Sequence, residues 1–220
     1  MVALMVAITI IGFVMLDLLV QAFEKKQLKT AAPARLGIAD FRVPMSTFFY
    51  PGHTWARIMS TGEVRVGIDD FTRKILGEIE KVEIPAAGTK IKQGEKVFTV
   101  KQGERELSFT APVDGEVTAI NEYLLTNPAQ ILTEPYRVGW ILEVKPTNLS
   151  TNLKVLKIAE DAVAWFKLEV ARFRKFALGE SALQYGIGET SQDGGCLTEG
   201  MLSRMGEKAI EKFEKEFLAH

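Results

Sequence analysis

Few side chains in this sequence are candidates for nucleophilic or acid–base chemistry, because it contains one cysteine and two histidines. Cys196 follows Gly194-Gly195 in a turn that could present a thiol nucleophile, but a cysteine hydrolase also needs a histidine base. His220 is the last residue, and His53 has no carboxylate or cysteine cluster beside it, so we interpret His53 as a packing or hydrogen-bonding residue. A free thiol without a special role is therefore preferred to a hydrolase using Cys196, and we predict no catalytic residues.

Metal and nucleotide chemistry are not predicted either. One cysteine and two histidines are too few for a structural zinc site and exclude an intrachain disulfide framework. Asp193 and Glu199 are too few for a calcium loop, and the glycine-rich stretch 186–195 lacks the lysine of a phosphate-binding loop. A formal net charge of −1 gives no electrostatic reason to expect nucleic acid as a partner.

A charged hairpin is predicted near the middle of the sequence. The runs 96–100 and 106–110 predict two β-strands joined by a turn at Gln102-Gly103. Lys101, Glu104, Arg105 and Glu106 lie around this turn. The simplest interpretation is a solvated hairpin tip.

Short β-rich runs surround this hairpin and must position it. They are separated by turn signals such as Thr61-Gly62 and Asp114-Gly115, which favours a small barrel or sandwich over residues 49–146. Residues 69–77 predict one short helix with an acidic start and Gly77 in the cap position. The β-rich runs lie at 54–59, 63–68, 78–84, 96–100, 106–110, 115–120 and 140–144.

A helical extension is predicted over 147–220. Apolar residues recur at three- and four-residue steps over 152–178, which indicates an amphipathic helix with Thr151 or Asn152 as N-cap and Gly179 as its end. A final helix is predicted from about 198 to 218. The first helix presents aromatic side chains on more than one face, so they could form a docking surface for a partner, lie on a membrane or pack on the barrel. These aromatics are Trp165, Phe166, Phe173 and Phe176.

The N-terminus is a long apolar run in which Thr9, Asp17 and Gln21 are the only strongly polar side chains. A helix over 1–23 would cross the ~30 Å hydrocarbon core, which predicts a single-pass transmembrane anchor in contact with membrane lipid. A signal peptide would have a basic start and a shorter apolar core. Basic residues follow the run, so the positive-inside rule places the C-terminal bulk in the cytoplasm. Residues 24–48 are predicted to be a linker.

A series of short motifs runs along residues 49–146: Tyr50-Pro51-Gly52-His53-Thr54-Trp55, Val66-Gly67-Ile68-Asp69-Asp70-Phe71, Leu76-Gly77-Glu78-Ile79, Ala111-Pro112-Val113-Asp114-Gly115, Asn127-Pro128 and Pro135-Tyr136-Arg137-Val138-Gly139-Trp140. In this order and spacing the segment resembles the glycine cleavage system H-protein, a lipoyl-domain family. The resemblance implies a mainly β, lipoyl-domain-like barrel-sandwich hybrid. Here that fold would be joined to an N-terminal transmembrane helix and a C-terminal α-helical extension.

The resemblance also implies a position for the cofactor. In this family the lipoylated lysine lies at a hairpin tip, seven residues before the Ala-Pro-Val motif, and counting back from Ala111 gives Glu104. Lipoate is attached through an amide to a primary amine, a bond that a carboxylate cannot form, so we expect no cofactor. Lys101 is the nearest amine and a weaker alternative site for lipoate.

The function expected from these features is that of a membrane-anchored, H-protein-like scaffold or accessory subunit. It would not be lipoylated or an enzyme, and it would hold protein partners of a larger membrane complex at the cytoplasmic face. The alternative is a working lipoyl carrier of a glycine-cleavage-type system, which shuttles an aminomethyl group or electrons.

Overall fold

The computed structural model describes residues 40–185 and 197–219, together with the backbone of the strand Arg35–Leu36. The chain divides into two compact units, Met1–Ala34 and Arg35–His220. The predicted anchor over 1–23 lies outside the described residues, as do Cys196 and His220. Within the described part of the chain, no helix combines the length and apolar character needed to cross a membrane.

The described strands are antiparallel and are numbered in chain order. They are β1 (Arg35–Leu36), β2 (Phe48–Phe49), β3 (Thr54–Ile58), β4 (Val64–Ile68), β5 (Lys81–Glu83), β6 (Lys90–Ile91), β7 (Lys96–Gln102), β8 (Arg105–Thr110), β9 (Gly115–Ile120), β10 (Leu142–Pro146) and β11 (Leu197–Thr198). The largest sheet has the order β2-β3-β4-β10-β9-β6, a second sheet has the order β5-β7-β8, and β1 pairs with β11. The predicted strands are confirmed to within about three residues at each end.

Both larger sheets bury alternate side chains in one common core. In β4, Val64 and Val66 point inward, while Arg65 between them pairs with Glu143 of β10 at 2.6 Å. Alternation of this kind is what a half-buried strand requires. The prediction of a mainly β fold is confirmed.

Helix α1 (Asp70–Leu76) follows β4 directly, as the sequence predicts. The Asp69 side chain caps its first turn by accepting a hydrogen bond from the Thr72 amide at 2.9 Å. Gly77 ends the helix with φ +85°, and a Cβ at this position would lie 2.9 Å from the Cα of Gly200. Only glycine combines that backbone conformation with so close an approach.

The remaining helices follow β9. They are α2 (Tyr123–Thr126), α3 (Gln130–Thr133), α4 (Leu149–Asn152), α5 (Ala159–Tyr185) and α6 (Glu207–Phe213), with a 3₁₀ turn at Leu202–Arg204 and a π-helical turn at Glu214–Leu218. The predicted helix over 152–178 is therefore wrong at both ends. Asn152 instead bonds Gln93 and Asp114, and Gly179 lies inside α5 because a glycine costs only about 1 kcal/mol there.

The C-terminal segment is less regular than the single helix predicted over 198–218. It consists of β11, the 3₁₀ turn, α6 and the π-helical turn. Gly206 interrupts the segment with extended backbone (φ −69°, ψ 161°) and is the residue before α6. The apolar residues that suggested a helix are nevertheless buried, among them Leu202, Phe213 and Phe217.

An aromatic cluster joins α5 to this segment. Phe173 lies at its centre, with ring centroids 5.7 Å from both Phe71 of α1 and Phe213 of α6, and 5.8 Å from Phe217. Phe166, Phe173 and Phe176 are all at least nine-tenths buried. The interpretation that these aromatics pack on the barrel and the last helix is confirmed for Phe166, Phe173 and Phe176, whereas Trp165 is partly buried and the docking surface stays a prediction.

Candidate functional site

The β7–β8 hairpin has Gly103 and Glu104 as its two-residue turn. Gln102 pairs with Arg105 across the hairpin and Lys101 pairs with Glu106. Gly103 adopts φ +60°, a conformation suited to glycine in tight turns. The Glu104 side chain is exposed at the tip, which is the position that the sequence predicts for it.

Lys101 lies on β7, before the turn, and its ammonium is held by two carboxylates. Its Nζ is 2.5 Å from a carboxylate oxygen of Glu106 and 3.0 Å from one of Glu83. These hydrogen bonds, first to Glu106 and then to Glu83, raise the pKa of Lys101 above its ordinary value. An amine acts as a nucleophile only when it is deprotonated, so this environment suppresses the reactivity of Lys101.

The hairpin tip is fixed on both sides. On one side, the Gln102 amide donates to the carbonyls of Leu76 at 2.9 Å and Glu78 at 2.7 Å, at the end of α1. On the other side, the Arg105 guanidinium donates to the Ser203 carbonyl at 2.7 Å, in the 3₁₀ turn. The residues that flank the turn are therefore anchored to separate parts of the fold.

The free edge of β8 is covered by the π-helical turn. The Glu214 carboxylate accepts a hydrogen bond from the Ser108 amide at 3.3 Å and pairs with Lys96 at 3.2 Å. Thr110 donates its hydroxyl to the Leu218 carbonyl at 3.3 Å. A small pocket of about 240 Å³ remains between these two elements. Because an exposed edge strand can pair with another chain, this contact protects the hairpin from such pairing.

A second site, which the sequence did not predict, surrounds His53. The imidazole is fully buried in the turn between β2 and β3, and φ at His53 is +58°. Its Nδ1 lies 2.7 Å from a carboxylate oxygen of Asp69, and its Nε2 lies 3.6 Å from one of Glu169. The interpretation of His53 as a packing and hydrogen-bonding residue is confirmed, but the view that no carboxylate lies beside it is wrong, because folding brings one from the start of α1 and one from α5.

Two aromatic rings enclose the same imidazole. The ring of Phe71 stacks on it at 4.6 Å between centroids, and Trp165 lies 5.1 Å away on α5. Burial alone would lower the pKa of His53, but the charge and hydrogen bond of Asp69, together with the charge of Glu169, outweigh it and raise the pKa to about 9. The side chain is therefore an imidazolium at neutral pH. A group that is already protonated cannot act as a general base there.

Glu169 connects this site to the C-terminal segment through Arg172. The Arg172 guanidinium is 3.1 Å from Glu169, donates to the Glu216 carbonyl at 2.7 Å and lies 4.0 Å from the centroid of the Phe217 ring. The sequence contains one indication that Glu169 is buried in this site. Glu169 lies three residues after Phe166 and four before Phe173, so it is a carboxylate on the apolar face of the helix.

Metal ligation has little support in the described ranges 40–185 and 197–219, since no three His, Cys, Asp or Glu side chains there form a group that could hold a metal ion.

Trp55 belongs to the core of the barrel, where it is fully buried, and Trp140 is partly buried. Cys196, the other residue considered for catalysis, lies outside the described residues.

Comparison with known proteins places this fold in a family. The family model described as Glycine cleavage H-protein matches residues 48–169, which ends at Glu169. A "Probable glycine cleavage system H protein" from Pyrococcus abyssi is 36% identical over 130 residues, covering 59% of this chain and 96% of the relative. A "Glycine cleavage system H protein" from a Psychrobacter species is 38% identical over 106 residues, covering 48% of this chain and 84% of the relative.

A solved structure is also similar. The crystal structure of a glycine cleavage system H protein from Mycobacterium marinum has 28% sequence identity and a TM-score of 0.49, and the match covers 56% of this chain and 96% of that one. The family match alone spans more than half of the 220 residues. The chain therefore belongs to the glycine cleavage H-protein family.

Proposed function

We propose that this protein is a membrane-anchored, non-lipoylated H-protein-like scaffold or accessory subunit of a larger membrane complex. It holds protein partners at the cytoplasmic face through the surface of the β domain and the C-terminal segment, and it is not itself an enzyme. Membrane lipid is contacted through residues 1–23, whose length and apolar character support this part of the proposal.

The observation that carries the proposal is the carboxylate at the hairpin tip. H-proteins carry lipoate on a lysine, and the attachment is an amide to the lysine nitrogen. Glu104 occupies the exposed turn where that lysine is expected, and its carboxylate cannot form the bond. The residues present at the tip therefore do not fit the cofactor.

Lys101 does not replace the missing amine. It lies three residues earlier, on the strand instead of the turn, and only 26% of its side chain is exposed. Its two carboxylate partners keep the nitrogen charged and occupied. A ligase that modifies this lysine would have to break both ion pairs and to accept an amine away from the tip.

The alternative function is that of a working lipoyl carrier, and membership of the family is the observation that favours it. In that case an aminomethyl group or an electron pair would travel on lipoate bound at Lys101. The position of Lys101 on β7, where its nitrogen is held by Glu83 and Glu106, argues against this function.

Intact-mass spectrometry of the protein from its native host separates the two functions. We expect the mass of the unmodified chain, while a lipoylated H-protein from the same cells serves as a positive control. A lipoyl mass increment that is absent in Lys101→Ala would overturn the scaffold proposal. As a matched pair, Glu104→Lys should become a substrate of a lipoate ligase and Glu104→Gln should not.

The membrane and partner parts of the proposal have their own test. Full-length protein should sediment with membranes, be released by detergent, and co-purify with other subunits from solubilised membranes. A variant that lacks residues 1–23 should be found in the soluble fraction. Recovery of the full-length protein in the soluble fraction would contradict the anchor.

A further inference from the structure

We propose that the imidazolium of His53 is a latch that holds helix α5 and the C-terminal segment 202–218 on the β domain, and so keeps the edge of β8 covered. The inference concerns the internal regulation of the fold and does not depend on whether the protein is a scaffold or a carrier. It follows from a continuous row of contacts, Asp69–His53–Glu169–Arg172, that ends on the segment covering the hairpin.

His53 is held firmly on the β domain, at one end of this series of contacts. Its backbone N–H donates to the Tyr50 carbonyl at 3.0 Å, and its carbonyl accepts from the Asp69 amide at 3.1 Å. The positive φ of a non-glycine residue is a strained conformation that persists only where its surroundings enforce it. Asp69 fixes the imidazole ring through Nδ1 and also caps α1. His53 and Asp69 therefore stay in place on the β domain when α5 moves.

Glu169 is the point at which α5 meets His53. Its side chain is 8% exposed, and its oxygen opposite His53 has no hydrogen-bond donor in the described part of the chain. Its second partner, Arg172, is 41% exposed and therefore weakly attractive. The charge on His53 is consequently what balances the buried carboxylate, since an uncompensated buried charge strongly destabilises a packed interface.

The row reaches the hairpin through the π-helical turn. Arg172 donates to the carbonyl of Glu216. Glu214 and Leu218, two residues before and after Glu216, contact β8. Glu214 binds the Ser108 amide, and the Leu218 carbonyl accepts from Thr110. Loss of the His53 charge therefore loosens α5 first and then the cover of the β8 edge.

The other charged and titratable groups near His53 lie on α1, on α5 and at the Tyr136 hydroxyl. Asp70 of α1 is neutralised by Arg73 at 2.7 Å and Lys74 at 3.5 Å. Burial raises the pKa of Tyr136 well above its usual value, so its hydroxyl, which accepts from the Asp70 amide, stays neutral. Asp69 faces His53 from the start of α1, and Glu169 faces it from α5. Arg172 contacts Glu169 and the Glu216 carbonyl, and from the C-terminal turn the Phe217 ring lies 6.4 Å from the imidazole.

Hydrogen–deuterium exchange of the full-length chain in detergent tests the latch. In His53→Gln, exchange of residues 202–218 and of β8 should rise by about tenfold or more, because the buried Glu169 loses its counter-charge, while β4 and β10 keep their protection. In the double variant His53→Gln/Glu169→Gln, most of the protection of 202–218 should return, since the α5 carboxylate that lost its counter-charge is then neutral. Asp69 loses the histidine equally in both variants and keeps its bond to the Thr72 amide. Glu180→Gln, which removes an ion pair to Lys212 from the same helix, is the matched control and should change nothing.

A pH series on the wild type is the second arm. After correction for intrinsic exchange, residues 202–218 should open as the pH rises through about 9, and the double variant should show no such step. A purely packing role for His53 would leave the double variant as open as the single one, which overturns the proposal. Wild-type protection of 202–218 that is independent of pH also overturns it, and this arm remains decisive if His53→Gln does not fold.

Discussion

The charge on His53 should make the stability of this protein depend on pH in a specific direction. The pKa is raised from 6.5 in the unfolded chain to about 9 in the folded one, against the opposing effect of burial, because Asp69 and Glu169 stabilise the charged ring. A raised pKa means that the folded state binds the proton more tightly. Its contribution to stability is therefore complete below pH 6.5, declines between pH 6.5 and 9, and is absent above that range.

The size of the effect follows from linkage. A difference of about 2.5 pKa units at 1.36 kcal/mol per unit corresponds to about 3 kcal/mol of unfolding free energy. His53 is fully buried, so solvent screening removes little of this value. A change of that size is a large part of the 5–15 kcal/mol that typically stabilises a folded domain, by rough estimate.

Urea unfolding of the full-length chain in mild detergent, followed by tryptophan fluorescence at half-unit steps from pH 6 to 10, measures this. The unfolding free energy should fall by about 3 kcal/mol across the window. His53→Gln should give a nearly flat profile, and any slope that it keeps measures the contribution of groups other than His53. An equal slope in the variant, or a flat wild-type profile, would refute the assigned ionisation of His53.

Three further predictions concern packing and the surface. Phe173→Ala should lower the unfolding free energy by about 3–5 kcal/mol in the same urea assay, because its fully buried ring joins α1, α5 and α6. Gly67→Ala should cost about 1–3 kcal/mol, because the added Cβ would lie 2.8 Å from the Trp55 ring; Gly62→Ala, where the space is open although φ is +86°, separates crowding from backbone strain. Lys101→Ala should leave the urea midpoint unchanged, since its ion pairs are at the surface; a clear shift would contradict that view.

The β domain could be predicted from the sequence because its strands and turns are determined by residues that are close together in the chain. Strands such as β9, which begins at the turn signal Asp114-Gly115, alternate inward and outward residues, and the structure starts β9 where that signal lies. Helix α1 could be predicted equally well, since Asp69 and Gly77 are its N-cap and C-cap residues. The C-terminal helices were predicted less well, because burial against other elements determines where they begin and end.

The two candidate sites differ in the same way. Glu104 could be located by counting from the Ala-Pro-Val motif, since a hairpin turn is a local structure. The partners of His53 are 16 and 116 residues away along the chain, and no local spacing brings them together. The position of Glu169 within an apolar stripe indicates that its carboxylate needs a buried cationic or hydrogen-bonding partner. The sequence does not identify His53 as that partner.

The tip and the C-terminal segment together constrain how a partner can bind. A swinging arm requires a tip whose surroundings are free, yet Arg105, the residue after Glu104, is bonded to Ser203 of that segment. Gly77, next to Glu78 at the other side of the tip, approaches Gly200 so closely that no side chain fits between them. Any protein that approaches the Glu104 carboxylate therefore meets residues of the C-terminal segment as well. If the scaffold function proposed above holds, recognition at this end of the molecule depends on both. Arg105→Ala, which removes the bond between the tip and Ser203, should then lower the amount of partner that co-purifies while leaving the urea midpoint of the barrel unchanged.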